Sequence, residues 1–173
     1  MIVVTDIIQG EGGWFAEKSG KPSSSKLDRI ITPGGKPSKQ AEAYCYELAA
    51  ERITGIPTNT YQSQAMADGI YREQESRELY EFIHGVEVEQ VGMVYRDESR
   101  QVLCSPDGLI NREYGLELKN VLPKTQVAYL LSGKLPRDYY VQVQSSMFIS
   151  GLPRWAFFTY SPCLPPLDLM LRS

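Results

Sequence analysis

The segment Gly115-Leu116-Glu117-Leu118-Lys119 constrains this chain more than any other. Its apolar and charged residues alternate strictly, which is the period of a strand with one buried face. As a strand it sends Leu116 and Leu118 into a core and holds Glu117 and Lys119 side by side on the opposite face. Ten residues before Glu117 stands Asp107, inside Ser105-Pro106-Asp107-Gly108, across a short polar turn at 111–114. If 101–110 and 115–120 pair as a hairpin, Asp107 and Glu117 converge at one end.

The rest of the pattern surrounds that hairpin with helices. Residues 38–53 read as a helix opened by Ser38 and closed near Gly55-Ile56-Pro57, and 63–84 as a second helix with Gly85 as its C-cap. Strand-like runs follow at 86–96 and 101–110, joined by the polar turn at 97–100, and a third strand is expected at 115–120. A helix is expected from Thr125, another after Pro136 as far as Gly151, a buried strand at 155–160 and a final edge strand at 168–172. The order predicts an α/β fold, a central mixed sheet flanked by helices, in one domain over 1–173. Segment 18–38, rich in Pro, Gly and Ser, is expected to be a mobile or ligand-ordered loop.

Composition narrows the chemistry. There is one histidine, His84, and three scattered cysteines, Cys45, Cys104 and Cys163. A lone histidine is more often a surface or core residue than a ligand, and the cysteines fit no C-x-x-C spacing, so Ser-His-Asp, Cys-His and zinc-site chemistry are almost excluded. Hydrolysis, if present, has to come from carboxylates, lysine and a hard cation. No apolar run is long enough for a membrane span and the N-terminus does not read as a signal peptide, so a cytoplasmic location is expected. Net charge is −3, yet residues 17–40 carry six basic side chains against Glu17 and Asp28, while 41–99 carry twelve acidic and four basic ones. That asymmetry suggests an anion-seeking loop on an acidic body, although a solvated charged loop gives the same count.

Two converging carboxylates repel unless a cation lies between them. Mg²⁺ takes hard oxygen ligands and keeps water and phosphate oxygens in its shell. A neighbouring lysine can then orient or deprotonate a water and stabilise charge on a phosphodiester. Without Asp107, the Glu117/Lys119 pair would read as a solvent-facing ion pair worth at most ~1 kcal/mol. Met66, Ile70, Glu73, Arg77 and Tyr80 share one helix face, which makes Glu73 a candidate ligand or water-positioner. Tyr139, Gln142 and Ser146 share a face of the late helix, where Gln142 could hold a water or a phosphate.

These residues resemble the lambda-exonuclease-like viral recombinase family of the PD-(D/E)xK nuclease superfamily. The likeness rests on Glu73-x3-Arg77-x-Leu-Tyr-Glu-Phe82, Tyr95-Arg-Asp-Glu-Ser99, Cys104-Ser-Pro-Asp-Gly-Leu109, Gly115-Leu-Glu-Leu-Lys119 and Gln142-Val-Gln-x-Ser-Met147. The resemblance implies a restriction-endonuclease-like core and a metal held by Asp107, Glu117 and the main-chain carbonyl of Leu118. It implies that Lys119 assists the attacking water and that Glu73 and Gln142 complete the catalytic set. It further implies 5′-to-3′ digestion of double-stranded DNA from an end, a ring-shaped homotrimer, and transfer of the 3′ single strand to an annealing protein. An ungapped match from Trp14 puts Lys18 and Ser25 where the family holds the 5′ phosphate, with Arg77 and Tyr139 as further DNA-binding candidates. Family members often continue into a C-terminal helix beyond the position of Ser173. The alternatives are a structure- or site-specific endonuclease on the same core, or a DNA-end-binding protein without catalysis.

Overall fold

The computed structural model describes residues 1–58 and 64–173, with side chains outside 59–71. In chain order its elements are β1 (Ile2–Val4), α1 (Gly12–Lys18), a 3-10 helix (Ser24–Arg29), α2 (Ala41–Thr54), α3 (Gln64–His84), β2 (Met93–Tyr95), β3 (Leu103–Cys104), β4 (Gly108–Ile110), β5 (Tyr114–Asn120), α4 (Pro123–Ser132), α5 (Arg137–Ser150), β6 (Arg154–Tyr160) and β7 (Leu167–Arg172). They form two compact units, each assembled from three stretches of chain: 1–60, 91–106 and 137–151 in the first, 61–90, 107–136 and 152–173 in the second.

The first unit carries a three-stranded antiparallel sheet, β1-β2-β3. Met93, Tyr95 and Leu103 are buried under Ile2, Val4 and Trp14. Helix α5 lies against β2, β3 and the 3-10 helix, burying Val143, Met147 and Ile149. Helix α2 closes on Gly55, whose φ of +68° is the left-handed cap that glycine adopts without strain.

The second unit carries a four-stranded mixed sheet, β4-β5-β6-β7, in which only β5 and β6 run parallel. Strand β6 is covered on both edges, so Trp155 to Thr159 are all buried, and each buried phenylalanine contributes about 1.5–3 kcal/mol. Helix α3 packs on one face of this sheet, where Tyr80 joins Leu116, Leu118, Ile110, Ala156 and Phe158. Gly115 is required there, because a Cβ would come within 2.3 Å of the Trp155 ring.

The mixed α/β fold agrees with the expectation, and most predicted elements appear within a few residues of their positions. Three differences matter. The expected strand at 101–110 is broken: β3 ends at Cys104 in the antiparallel sheet and β4 starts at Gly108 in the mixed one. Pro106, which has no N–H for a ladder bond, sits in the break. The hairpin is therefore 108–110 against 114–116, turned by Asn111 and Arg112, both at the positive φ of a type I′ turn. The run 86–96 yields a strand only at β2, plus a single bridge from Glu89 to Leu109. Lastly, β1 and α1 lie where no element was expected, and the 3-10 helix lies within the segment expected to be a loop. The part of the proposed helical stripe at Met66 and Ile70 lies outside the described side chains.

Candidate active site

The second unit brings Asp107, Glu117, Leu118, Lys119, Glu73 and Arg77 together. Asp107 stands one residue before β4, and its N–H still donates to the Leu116 carbonyl at 3.0 Å. Where the next ladder bond would come from a longer β4, the Asp107 carboxylate accepts instead from the Leu118 N–H, Oδ2 to N 2.6 Å. In a strand the N–H and C=O of one residue share an edge. The Leu118 carbonyl thus faces the edge that β4 has vacated, the same edge as the Asp107 carboxylate.

Glu117 and Lys119 occupy the opposite face from Leu116 and Leu118, as the alternation requires. Glu117 is only 2% exposed, and its Oε1 accepts from Lys119 Nζ at 2.5 Å. Burial pushes the Asp107 carboxyl well above the usual range for an aspartate, the Glu117 charge pushes it further, and the Lys119 ammonium pulls it back only in part. Glu73 is also raised, by burial first, with the Arg77 and Lys119 charges opposing. Arg77 Nη2 donates to Glu73 Oε1 at 2.7 Å, and its Nε is buried with no hydrogen-bond partner among the described residues. An unforeseen residue completes the group. Oriented with Nδ2 3.3 Å from the Arg72 carbonyl and Oδ1 3.2 Å from the Glu73 N–H, Asn120 ties α3 to the end of β5. No sequence signal marks it, since a lone Asn ending a strand reads as a turn residue.

Among the described residues no group of three or more His, Cys, Asp or Glu side chains is arranged to hold a metal. The protein ligands on offer are two carboxylates and one carbonyl, all hard oxygen. Such a sparse set suits Mg²⁺, which keeps several waters and takes phosphate oxygens as ligands. A half-buried aspartate whose carboxyl is raised by desolvation and then by a neighbouring glutamate is in the electrostatic state that a divalent cation relieves, so the residues fit the ion.

The remaining candidates belong to the first unit. Lys18 Nζ lies 4.2 Å from the centre of the Trp14 ring. Ser25 is exposed on the 3-10 helix, with its Oγ 3.2 Å from Ser23 Oγ. Tyr139 and Gln142 are partly buried on α5, on the face that continues to the buried Ser146. The basic loop is more self-contained than its composition suggested. Lys21 pairs with Glu17 at 2.8 Å, and Lys26 and Arg29 both pair with Glu47 of α2 at 2.6 Å. At least three of its six cations are thus engaged inside the unit, two of them with Glu47, which lies beyond the stretch over which the charge was counted.

Fold and site together define a nuclease-type α/β core of the PD-(D/E)xK kind. Residues 13–153 match the family described as the YqaJ-like viral recombinase domain. The chain belongs to that family. Among solved structures it is similar to an alkaline exonuclease, LHK-Exo, from Laribacter hongkongensis, at 25% identity and a TM-score of 0.80, covering 94% of this chain and 82% of that one. LHK-Exo in complex with dAMP matches at 26% identity with the same TM-score and coverage. A phage-related exonuclease from Haemophilus somnus 129PT shares the fold at 14% identity and a TM-score of 0.60, covering 88% of this chain and 84% of that one. No curated protein matches the sequence. No helix among the described residues is long and apolar enough to cross a membrane.

Proposed function

We propose that the protein is a Mg²⁺-dependent 5′-to-3′ exonuclease of double-stranded DNA that leaves 3′ single strands for recombination. The observation that carries this reading is the half-buried Asp107 carboxylate seated on the Leu118 N–H at 2.6 Å, next to the buried Glu117 carboxylate with the Lys119 ammonium on it at 2.5 Å. The likeness to alkaline exonucleases, one with dAMP, favours stepwise release of nucleotides from an end.

Asp107, Glu117 and the Leu118 carbonyl would hold the cation, which when bound supplies positive charge to the scissile phosphate and acidifies a water. Lys119 orients that water and stabilises the charge that develops as it adds to phosphorus. Hydrolysis breaks one P–O bond, leaving a phosphate on one fragment and a hydroxyl on the other. Glu73, aligned by Arg77, and Gln142 assist in placing the water and the phosphate, with Tyr139 and Arg77 as DNA contacts. Lys18 and Ser25 take the 5′ phosphate of the DNA end. Lysine there is a point charge without the fork of an arginine, so it is expected to grip that phosphate less directionally. A homotrimeric ring, a single-strand annealing partner and Mn²⁺ as a substitute ion extend the same reading.

The test is a linear duplex with a 5′ phosphate and each strand labelled in turn, incubated with Mg²⁺. Shortening of the 5′-phosphorylated strand from its 5′ end supports the proposal. Initial loss of the 3′-ended strand, or cutting of closed circular DNA at a similar rate, sinks it, the latter in favour of an endonuclease.

A further inference from the structure

The chain leaves its first unit at the peptide that joins Pro106 to Asp107, and both polar ends of that peptide are held. Its carbonyl accepts from Gln9 Nε2 at 2.8 Å, and its N–H donates to the Leu116 carbonyl at 3.0 Å. The second proton of the Gln9 amide goes to the Val91 carbonyl, also at 2.8 Å. Both donors of one side chain are thus spent on backbone carbonyls 82 and 97 residues away in sequence. Trp14 Nε1 supports the same turn, donating to the Gly92 carbonyl at 3.0 Å and reaching Ser105 Oγ at 3.3 Å.

The chemistry of Pro106 makes this hold consequential. Its ring fixes φ, so the free rotation left to the residue is ψ, and ψ sets where its carbonyl points. A carbonyl fastened to Gln9 removes that freedom. The peptide plane leading into Asp107 is then pinned at one end by Gln9 and at the other by Leu116. A carboxylate displaced by about 1 Å is enough to spoil a catalytic constellation. Gln9 also precedes residues 13–153, so nothing in the family match points to it.

We propose that Gln9 is a positioning residue, whose side-chain amide sets the plane of the Pro106–Asp107 peptide and so aims the Asp107 carboxylate at the cation. This inference rests on the reading of Asp107 as a ligand. Outer partners that orient a ligand typically change metal affinity or activity by about 10- to 100-fold when removed.

The experiment uses the full chain with Mn²⁺ alone as the probe, titrated by electron paramagnetic resonance. A second readout is hydrogen exchange of the Asp107 amide in metal-free protein. Gln9→Met keeps the length and loses both donors, whereas Gln9→Lys keeps a donor. Gln9→Met is expected to weaken Mn²⁺ binding about 10-fold and to speed exchange at Asp107, with Gln9→Lys within about threefold of wild type. Wild-type Mn²⁺ affinity in Gln9→Met overturns the proposal, as does equal impairment of the two variants, which would show a bulk structural effect. Should Gln9→Met not fold, Gln9→Asn withdraws the donor by one methylene and is expected to weaken Mn²⁺ in its place. Unchanged affinity in Gln9→Asn, or failure of both to fold, overturns the proposal. Asp107→Asn runs alongside: if it binds Mn²⁺ like wild type, the ligand reading fails, while the exchange rate at residue 107 still reports whether Gln9 holds the peptide.

Discussion

Gly108→Ala offers a measurement of how tightly the strand after Asp107 is packed. A Cβ at Gly108 would lie 2.0 Å from Val88 Cγ1, where carbon atoms normally stop at about 3.5–4.0 Å. One of the two has to give by roughly 1.5 Å. Val88 cannot retreat easily: it is 7% exposed, packs with Tyr80 and Ile110, and its N–H donates to Glu81 Oε1 at 2.8 Å. The cost expected for such overpacking is about 1–3 kcal/mol, or some 2–12 °C in Tm at ~2–4 °C per kcal/mol and this length. Because β4 is the element displaced, the Asp107 carboxylate moves with it, and Mg²⁺-supported DNA cleavage should fall more than the folded fraction does. Val88→Ala removes the clashing methyl and costs roughly 1.5 kcal/mol alone through lost burial. In the double variant most of the clash disappears, so urea unfolding should show a favourable coupling of about 1–3 kcal/mol. Additivity within about 0.5 kcal/mol would refute the claim that these two side chains compete for one space.

Other outcomes follow from the same geometry. Lys119→Met leaves the buried Glu117 carboxylate without its ammonium, so metal-free protein should lose on the order of 3 kcal/mol in denaturant titrations. Cleavage should stop while DNA binding in a gel-shift assay persists, and full stability with full cleavage would contradict the pairing. The Asp107 carboxyl is raised in the folded state, so the stability it lends to metal-free protein is complete below the unfolded aspartate pKa and is lost as pH rises through the folded value. Thermal stability should therefore fall as pH rises over that window in wild type and fall less in Asp107→Asn, and Mg²⁺ should restore the wild type at neutral pH. A pH slope identical in the two proteins would remove Asp107 as its source. Lys18→Ala should blunt the preference for 5′-phosphorylated over 5′-hydroxyl ends, and an unchanged ratio of rates would reject Lys18 as the phosphate contact.

The local period of the sequence foretold β5 and its two faces, because alternation is a property of five adjacent residues. It also foretold the convergence of Asp107 on that strand, though by the wrong route. The run 101–110 looked like one strand, whereas Pro106 divides it between two sheets and leaves the Asp107 side chain, not its backbone, to meet Leu118. In the run before it, Gly92 marks a close backbone approach, since a Cβ there would meet the Ile7 carbonyl at 2.3 Å. The neutralisation of Lys26 and Arg29 by Glu47, and the grip of Gln9 on Pro106, join residues 18 to 97 positions apart. Such pairings depend on the finished fold and leave no periodic trace in the chain.

The account turns on a divalent ion shared by Asp107 and Glu117. Calorimetric titration of Mn²⁺ into wild type, Asp107→Asn and Glu117→Gln tests this directly, with folding of each checked by circular dichroism. A saturable site in the wild type that disappears in both folded variants is the predicted result. A wild-type isotherm retained by either variant would contradict it.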